Sequence, residues 1–284
     1  MRDYTPEKAA EAAQRLWSLW QAGDVCDALP DDCCPLTVGE GYAAQAQLPR
    51  VAGRAVVGWK IAATSLAGQA HIQVSGPLAG RLLSGQVFDD GATLSLAGNR
   101  MRVAEPEFCF RMARDLTPRG TPYVMHEVMA AVGELHLALE VPDSRFAVFE
   151  QAGEAQLIAD NACTGEFVLG PTAPALWRGL DLSRHAVTGH VVTAAGERWT
   201  RNGSGENVLG DPRIALVWLA NRLSELGLRL AAGQIVTTGA CMKPLEIGPG
   251  DAVTADYGAL GRVSLRFDKD PTSRLPGAPV SPVR

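Results

Sequence analysis

Three glutamates of this chain stand where their carboxylates could share one cation. Glu105 and Glu107 lie in Ala-Glu-Pro-Glu-Phe, and this spacing on an extended segment points both side chains to the same side. Glu140 ends the run 136–140, which alternates like a half-buried strand. A carboxylate in such a strand is costly to bury unless a cation compensates its charge. Three carboxylates with water completing the shell suit Mg²⁺ or Mn²⁺; the alternative is three surface glutamates, two of them near a turn at Pro106.

The composition is ordinary for a globular enzyme. The 284 residues are 46% apolar and 20% charged, and the net charge is −5. The acidic charge argues against a nucleic-acid surface, which usually needs a basic face. No run approaches the roughly 18 apolar residues of a membrane span, and the first residues lack the apolar core of a signal peptide. We therefore expect a cytoplasmic protein whose six cysteines, which form no C-x-x-C pair, are free thiols.

Helices are predicted near both ends of the chain and in its middle. The first begins at Thr5-Pro6, the second near Thr37, and the third runs from Thr121 to Gly133. The second helix is expected to bury Tyr42, Ala43 and Leu48. The clearest helix runs from Asp211 to Leu226, with an apolar stripe formed by Leu216, Leu219, Ala220 and Leu223. Short β-rich runs punctuated by Gly and Pro are expected at 56–62, 186–193, 235–238, 252–255 and 262–267.

This order of elements predicts an α+β fold. Helices and strands do not alternate as βαβ units, so a doubly wound parallel sheet is not expected. We predict an N-terminal helical region (1–55) packed on a β-rich catalytic core (56–267). The segment 268–284 holds four prolines among small polar residues and is predicted to be a disordered tail.

Several motifs, taken in order, point to a known family. They are Gly-Trp-Lys-Ile-Ala-Ala-Thr-Ser at 58–65, Glu-Val-Pro-Asp-Ser-Arg-Phe at 140–146, Asp-Asn-Ala-Cys-Thr-Gly at 160–165, and two glycine-containing segments at 231–240 and 248–253. In this order and spacing they resemble the 2-keto-4-pentenoate hydratase group of the fumarylacetoacetate hydrolase superfamily. The resemblance covers about residues 36–267. It implies a distorted β-roll or barrel core with outer helices, and a homo-oligomer.

The resemblance also assigns roles to individual residues. It implies that Glu105, Glu107 and Glu140 bind the metal and that Lys60 is catalytic, since the lysine of the matching Gly-Trp-Lys-Ile motif lies in the active site of the related hydratases. It places Asn161 at the substrate pocket, and Cys163 stands at the position of a serine common in the family. The residues themselves add three candidates for substrate binding: Arg145 could brace a ligand carboxylate, and Thr238 and Gly239 end a strand and could direct backbone N–H groups at an anion. Their surroundings allow other roles. Arg145 could pair with Asp143 in a turn, and the others could be turn or strand-end residues.

The implied activity is a lyase reaction of aromatic catabolism. Water would add to a short 2-hydroxy-2,4-dienoate, a small-molecule 2-oxoacid substrate, with Mg²⁺ or Mn²⁺ and without a redox cofactor. Two positions depart from the family pattern. Leu78 stands where related hydratases usually have an acidic residue, and Cys163 replaces a common serine. The metal-dependent enolate chemistry tolerates these changes better than the addition of water does.

Three other functions stay open. A 4-oxalocrotonate-type decarboxylase needs the same enolate but no addition of water. A C–C bond hydrolase of a β-diketone acid is less favoured, because those enzymes carry a His-Glu dyad ahead of the metal site, and His71 has no glutamate near it in the sequence. The last is a non-catalytic assembly partner, since related decarboxylases and hydratases can form complexes.

Overall fold

The computed structural model describes residues 3–270. Within this range the chain forms six α-helices: Pro6–Ala22 (α1), Val38–Ala52 (α2), Leu66–His71 (α3), Met125–Ala131 (α4), Glu154–Ala159 (α5) and Pro212–Glu225 (α6). It also forms thirteen strands: Val56–Ala62 (β1), Leu78–Leu83 (β2), Val87–Asp89 (β3), Thr93–Leu94 (β4), Val103–Met112 (β5), Val132–Val141 (β6), Glu166–Thr172 (β7), Ala186–Val192 (β8), Arg198–Ser204 (β9), Ile235–Ala240 (β10), Leu245–Glu246 (β11), Ala252–Asp256 (β12) and Arg262–Phe267 (β13).

The first two helices begin where the sequence predicts. Thr5 caps α1 by accepting a hydrogen bond from the Lys8 N–H, and Pro6 occupies the first turn. Helix α2 starts with a capping box, in which the Thr37 hydroxyl accepts from the Glu40 N–H and the Glu40 carboxylate accepts from the Thr37 N–H. Both caps satisfy backbone N–H groups that the first turn of a helix leaves without partners.

The inner face of α2 differs from its prediction at one residue. Tyr42 and Leu48 are buried as predicted, but Ala43 is exposed. The helix turns Ala44 and Gln45 inward instead, and the Gln45 amide donates to a carbonyl of β2 and to one of α5. These bonds attach the N-terminal helices to the sheet. The boundary near residue 55 stays a prediction.

The strands form two sheets around the core. The larger sheet has the order β2-β1-β10-β5-β6-β7-β3, with β11 paired to β5, and the smaller has the order β4-β13-β12-β8-β9. The described pairs are antiparallel except for β1–β10, β3–β7 and β4–β13. The strands β1 and β13 match the predicted runs. The larger sheet curls into a half-barrel, and the helices pack outside it. The α+β prediction is therefore confirmed.

Strand β6 shows how the chain directs a carboxylate into the larger sheet. Its three leucines, Leu135, Leu137 and Leu139, join the main hydrophobic core. Ala138 faces the other way, into a small cluster with residues of β5, β7 and β10, and Glu140 follows on that same side. This is the predicted alternation. The carboxylate of Glu140 is therefore directed away from the leucine core.

Two predictions differ from the structure or fall outside it. The third helix is confined to Met125–Ala131 instead of running from Thr121 to Gly133, because the chain enters β6 at Val132 and pairs with β5 over most of that strand. Most of the predicted tail, residues 271–284, lies outside the described residues. None of the helices in the described part of the chain is long and apolar enough to cross a membrane.

Candidate metal centre and active site

Strands β5 and β6 bring the three glutamates together. Glu105 lies directly opposite Glu140 in the antiparallel register, and Glu107 follows two residues along β5 on the same side. One oxygen of each carboxylate lies within 4.8 Å of the other two. Glu107 and Glu140 are each 1% exposed, and Glu105 is half-buried. The cluster is thus set into the sheet and reached from the side of Glu105.

Burial and mutual repulsion make this cluster unfavourable for three negative charges. Burial, and then the charges of Glu140 and Glu105, raise the pKa of Glu107 well above its ordinary value. The same two effects, burial and the charge of Glu140, raise the pKa of Glu105 to about 7. A cation among the three carboxylates would relieve the repulsion.

The donor set fits a hard divalent cation. All three groups offer carboxylate oxygens, the ligand type that Mg²⁺ and Mn²⁺ favour. Glu107 Oε1 is buried and has no hydrogen-bond partner among the described residues. A buried oxygen without a partner lowers the stability of the fold by its desolvation free energy, unless a donor or a cation binds it. The residues present therefore fit a metal, which Glu105, Glu107 and Glu140 would hold.

Lys60 supplies a positive charge to the cluster. It lies on β1 and is 3% exposed, and its Nζ is 3.1 Å from Glu140 Oε1. Burial by itself lowers the pKa of Lys60, but the charges of Glu140 and Glu105 outweigh that effect and leave it raised. Without a bound cation, the neighbouring carboxylates therefore favour the charged form of Lys60.

Strand β10 holds one oxygen of Glu107 in place. Glu107 Oε2 accepts a hydrogen bond from the Thr237 hydroxyl and another, of 2.7 Å, from the Gly239 N–H. Gly239 has φ 104°, and a Cβ there would lie 2.1 Å from Thr64 Oγ1, so only glycine fits. With Oε2 fixed by two donors, Oε1 is the oxygen left to bind a cation.

Sequence reasoning named Thr238 and Gly239 but missed Thr237. Thr238 is directed to the other side of the strand, where its hydroxyl donates to the Phe108 carbonyl at 2.9 Å. Strand alternation was the available signal, because residues 237 and 239 share one side of an extended segment. Tyr257 was missed as well; its hydroxyl donates to the Glu107 carbonyl at 2.8 Å.

The Asp-Asn-Ala-Cys segment lies beside Lys60. Cys163 is close enough to Lys60 for each charge to affect the pKa of the other group. Burial, and then the charge of Asp160, raise the pKa of Cys163 to about 12, so the thiol is protonated. The Asn161 side chain is hydrogen-bonded to the backbone of Arg81 in β2. Substrate contact by Asn161 and Cys163 stays a prediction.

Two further positions singled out by the sequence, Arg145 and Leu78, lie outside the glutamate cluster. Arg145 forms an ion pair with Asp160 and does not join the glutamates. Its substrate contact stays a prediction. Leu78 is 1% exposed and belongs to the main hydrophobic core, so the side chain that replaces the family's acidic residue is an ordinary core leucine.

A separate cavity of about 380 Å³ lies away from the glutamates. It is bordered by α1 and by the start of β7, and Lys60 and the three glutamates do not line it. Glu166, one of its lining residues, is half-buried. Burial, and then the charge of Asp143, raise the pKa of Glu166 to about 7.

Glu166→Gln is expected to stabilise the protein above neutral pH. Because the folded state raises the pKa of this carboxyl, wild-type stability is higher while Glu166 is protonated and falls as the pH rises to about 7. Urea unfolding should give equal stabilities for both proteins near pH 4.5 and a variant more stable by about 1–3 kcal/mol at pH 8. Glu197→Gln, at an exposed position, is the control. A stability difference that does not change with pH would contradict this origin.

Comparison with known proteins identifies the family. No family model matches the chain. The chain is 35% identical over 269 residues to the 2-keto-4-pentenoate hydratase of Paraburkholderia xenovorans strain LB400, covering 94% of this chain and 97% of that protein. It is 30% identical over 269 residues to the 2-oxo-hept-4-ene-1,7-dioate hydratase of Escherichia coli, covering 90% of this chain and 96% of that protein.

Solved structures agree with this relationship. The 4-oxalocrotonate decarboxylase from Pseudomonas putida G7, complexed with magnesium and adipate, matches with a TM-score of 0.83 at 27% identity, over 94% of this chain and all of that one. A fumarylacetoacetate hydrolase family protein from Yersinia pestis CO92 matches with a TM-score of 0.52 at 15% identity, over 75% of this chain and 93% of that one, and shares the fold. The chain therefore belongs to the 2-keto-4-pentenoate hydratase family of the fumarylacetoacetate hydrolase superfamily.

Proposed function

We propose that this protein is a divalent-metal-dependent hydro-lyase. It adds water to a short 2-hydroxy-2,4-dienoate, equivalently its 2-oxo-4-enoate tautomer, and gives a 4-hydroxy-2-oxoacid. The observation that carries the proposal is the buried cluster of Glu105, Glu107 and Glu140 beside the ammonium of Lys60. The names of the related hydratases support the choice of reaction.

The three glutamates would hold Mg²⁺ or Mn²⁺, which supplies a Lewis acid for the substrate's 2-oxo group when bound. Thr237 and Gly239 fix one oxygen of Glu107, so this ligand needs little reorganisation. A magnesium complex of the related decarboxylase supports a divalent metal. The choice between Mg²⁺ and Mn²⁺ is part of the test below.

Lys60 would balance the negative charge of the substrate. Its buried ammonium can donate to the substrate carboxylate or to the oxygen that becomes an enolate, where low polarity strengthens the interaction. Tautomerisation places a proton on C5 and leaves a double bond between C3 and C4. Water then delivers its hydroxyl to C4 and its other hydrogen to C3, so the reaction gains one water molecule. The residue that handles these protons stays open, because Leu78 stands where the family has an acid.

A 4-oxalocrotonate-type decarboxylase is the second candidate. The buried, apolar Leu78 favours it, because loss of CO₂ from an enolate-stabilised diacid requires no carboxylate to activate water. The similarity to the Pseudomonas decarboxylase also favours it. The two candidates share the metal site and differ in whether water is gained or CO₂ is lost.

The structure corrects one argument against C–C bond hydrolysis. His71 has no glutamate near it in the sequence, but Glu150 approaches it in space, with His71 Nε2 3.8 Å from Glu150 Oε1. The His71 and Glu150 side chains are 62% and 35% exposed, so this is a surface pair. Hydrolysis remains less favoured on that ground.

The assembly and location of the protein are also proposals. The family resemblance supports a homo-oligomer in the cytoplasm, and a complex with a related decarboxylase or hydratase. Gel filtration of the purified protein, alone and mixed with such a partner, would test both forms of assembly.

Product analysis tests the proposed reaction. The protein is incubated with 2-hydroxypenta-2,4-dienoate or with 4-oxalocrotonate, in Mg²⁺, in Mn²⁺ or in chelator, and followed by absorbance and mass spectrometry. A metal-dependent gain of water by the dienoate is the expected result. Loss of CO₂ from the diacid without hydration of the dienoate would move the assignment to decarboxylase. Turnover of neither would contradict both.

Gly80→Ala is expected to reduce both stability and activity. A Cβ at Gly80 would lie 2.5 Å from the Asn161 carbonyl oxygen and 3.0 Å from Lys60 Cγ, so either the backbone at Asn161 or the Lys60 side chain must move. We expect a loss of about 1–3 kcal/mol in urea unfolding and of about 100-fold in kcat/KM. Gly76→Ala, where a Cβ meets nothing within 4 Å, is the matched control. Wild-type kinetics for Gly80→Ala would contradict this packing.

A further inference from the structure

Three consecutive residues beside Lys60 have left-handed backbone conformations. Asn161, Ala162 and Cys163 have φ values of 57°, 54° and 57°. L-residues rarely adopt the left-handed region of φ and ψ. A run of three such residues persists only when contacts with the surrounding structure stabilise it. The segment Asp160–Thr164 is called the catalytic-side turn below.

One side of the catalytic-side turn is fixed to β2. The Asn161 side-chain oxygen accepts from the Arg81 N–H at 2.7 Å, and its amide donates to the Arg81 carbonyl at 2.8 Å. The absence of a side chain at Gly80 lets the turn approach both this strand and the stem of Lys60. The position of the turn therefore affects the position of the lysine.

The other side of the turn is held by Arg145. Its Nε donates to the Asp160 carboxylate, its Nη2 to the Asp160 carbonyl and its Nη1 to the Thr164 carbonyl at 3.1 Å. The Asp160 carboxylate also accepts from the Ser144 hydroxyl at 2.7 Å and from the Arg145 backbone N–H at 3.0 Å. Arg145 thus binds both ends of the turn, and its guanidinium is the buried counter-charge of the Asp160 carboxylate.

The guanidinium is enclosed as well as bonded. Arg145 is 5% exposed and lies over the ring of Trp20, with its Cζ 4.9 Å from the ring centroid. All three of its side-chain nitrogens donate within the turn. These three bonds use three of the five guanidinium N–H groups, and burial limits access to the other two. Removing Arg145 would leave Asp160 as an uncompensated buried charge.

We propose that Arg145, acting with Asp160, is a positioning residue for the reaction and does not bind the substrate. It holds the catalytic-side turn in its left-handed conformation and so keeps Cys163 and Asn161 against Lys60. This inference rests on the proposed function for its kinetic readout, and it replaces the substrate-binding role predicted for Arg145 from the sequence.

The test uses two readouts on Arg145→Met. The first is the rate at which iodoacetamide labels each cysteine, resolved by mass spectrometry without substrate. Labelling of Cys163 is expected to rise about tenfold or more as the turn opens locally, while Cys241, buried elsewhere, changes little. The second is kinetic: kcat is expected to fall about 10- to 100-fold, with KM changed by less than about threefold.

Arg178→Met is the matched control. Arg178 also covers a tryptophan ring, with its Cζ 4.5 Å from the Trp177 centroid, and donates to the carbonyls of Val132 and Gly133. It shares the contact with a tryptophan ring and the bonds to backbone carbonyls, but it is exposed and lies outside the turn, so its loss is expected to change neither readout. Ser144→Ala removes one bond to Asp160 and the bond that the Ser144 hydroxyl accepts from the Phe146 N–H. Both ion-pair partners remain, so it should shift both readouts in the same direction by less, which keeps the proposal testable if Arg145→Met does not fold.

The outcomes separate the two roles of Arg145. A rise in KM with unchanged kcat and unchanged Cys163 labelling would overturn the proposal in favour of direct substrate binding. Unchanged labelling in both Arg145→Met and Ser144→Ala would also overturn it. If the wild-type protein turned over none of the substrates, the proposed function would fail, yet the labelling comparison would still decide whether Arg145 holds the turn.

Discussion

Glu140→Gln is expected to lose at least about 100-fold in Mg²⁺ affinity. An amide keeps the shape of the side chain but removes one of three anionic ligands, and even residues that only orient ligands cost 10- to 100-fold when they are lost. Activity should fall with metal occupancy and recover only in part at high Mg²⁺. Isothermal titration calorimetry with Mg²⁺ and with Mn²⁺ measures the affinities directly.

Glu134→Gln is the control for that experiment. Glu134 lies on the same strand as Glu140, but its side chain is 46% exposed and it contacts Arg111 and His136 outside the cluster. The affinity of the Glu134→Gln variant for Mg²⁺ should equal that of the wild type. If Glu140→Gln retained wild-type affinity and activity, Glu140 would not be a ligand and the cluster would need another explanation.

Lys60→Met is expected to separate metal binding from catalysis. The variant removes the ammonium while keeping an unbranched apolar side chain of similar length, so the three carboxylates remain to bind metal. We expect kcat/KM to fall about 10²- to 10³-fold, the usual effect of losing one group that stabilises developing charge in a buried site. Mg²⁺ affinity should be equal to or above that of the wild type, since a competing positive charge next to Glu140 is gone.

Two comparisons make the Lys60 result specific. Lys243→Met removes an ammonium at a position that is 75% exposed and should leave kcat/KM unchanged. Lys60→Arg keeps the charge but puts a wider, planar group at a position that is 3% exposed, so it should recover only part of the activity. Wild-type kcat/KM for Lys60→Met would show that the ammonium has no part in the reaction.

The glutamate cluster could be predicted because its geometry is local. Glu105 and Glu107 are two residues apart on one strand, and Glu140 follows an alternating run, so each is directed to a definite side by the pleat alone. The register that sets Glu105 opposite Glu140 was not visible in the spacing; the family resemblance grouped the three glutamates, and the pairing of the two strands appears only in the structure. The proposed metal role still needs the binding experiment.

The parts that could not be predicted depend on contacts between distant segments. Strand alternation could assign Thr237 to the same side as Gly239, but it could not identify Glu107 as its partner. The two residues meet across a pair of strands whose register shifts between Thr237 and Ala240, and such irregularities leave no simple pattern in the sequence. Strand β2 was missed because all six of its residues are buried, which removes the alternation that marks a half-buried strand. Arg145 was assigned from motif order, and its contacts with Asp160 were visible only in three dimensions.

The long sequence separations within the site have a kinetic consequence. Thr237 and Glu107 are 130 residues apart, and Tyr257 and Glu107 are 150 apart, so the site is completed only after large loops have closed. Such non-local pairing makes folding slow, and a cation that needs the finished site can bind only the native state. Bound metal should therefore slow unfolding and leave the folding rate nearly unchanged, so that a cell short of the cation would hold a shorter-lived protein that still folds at its usual rate.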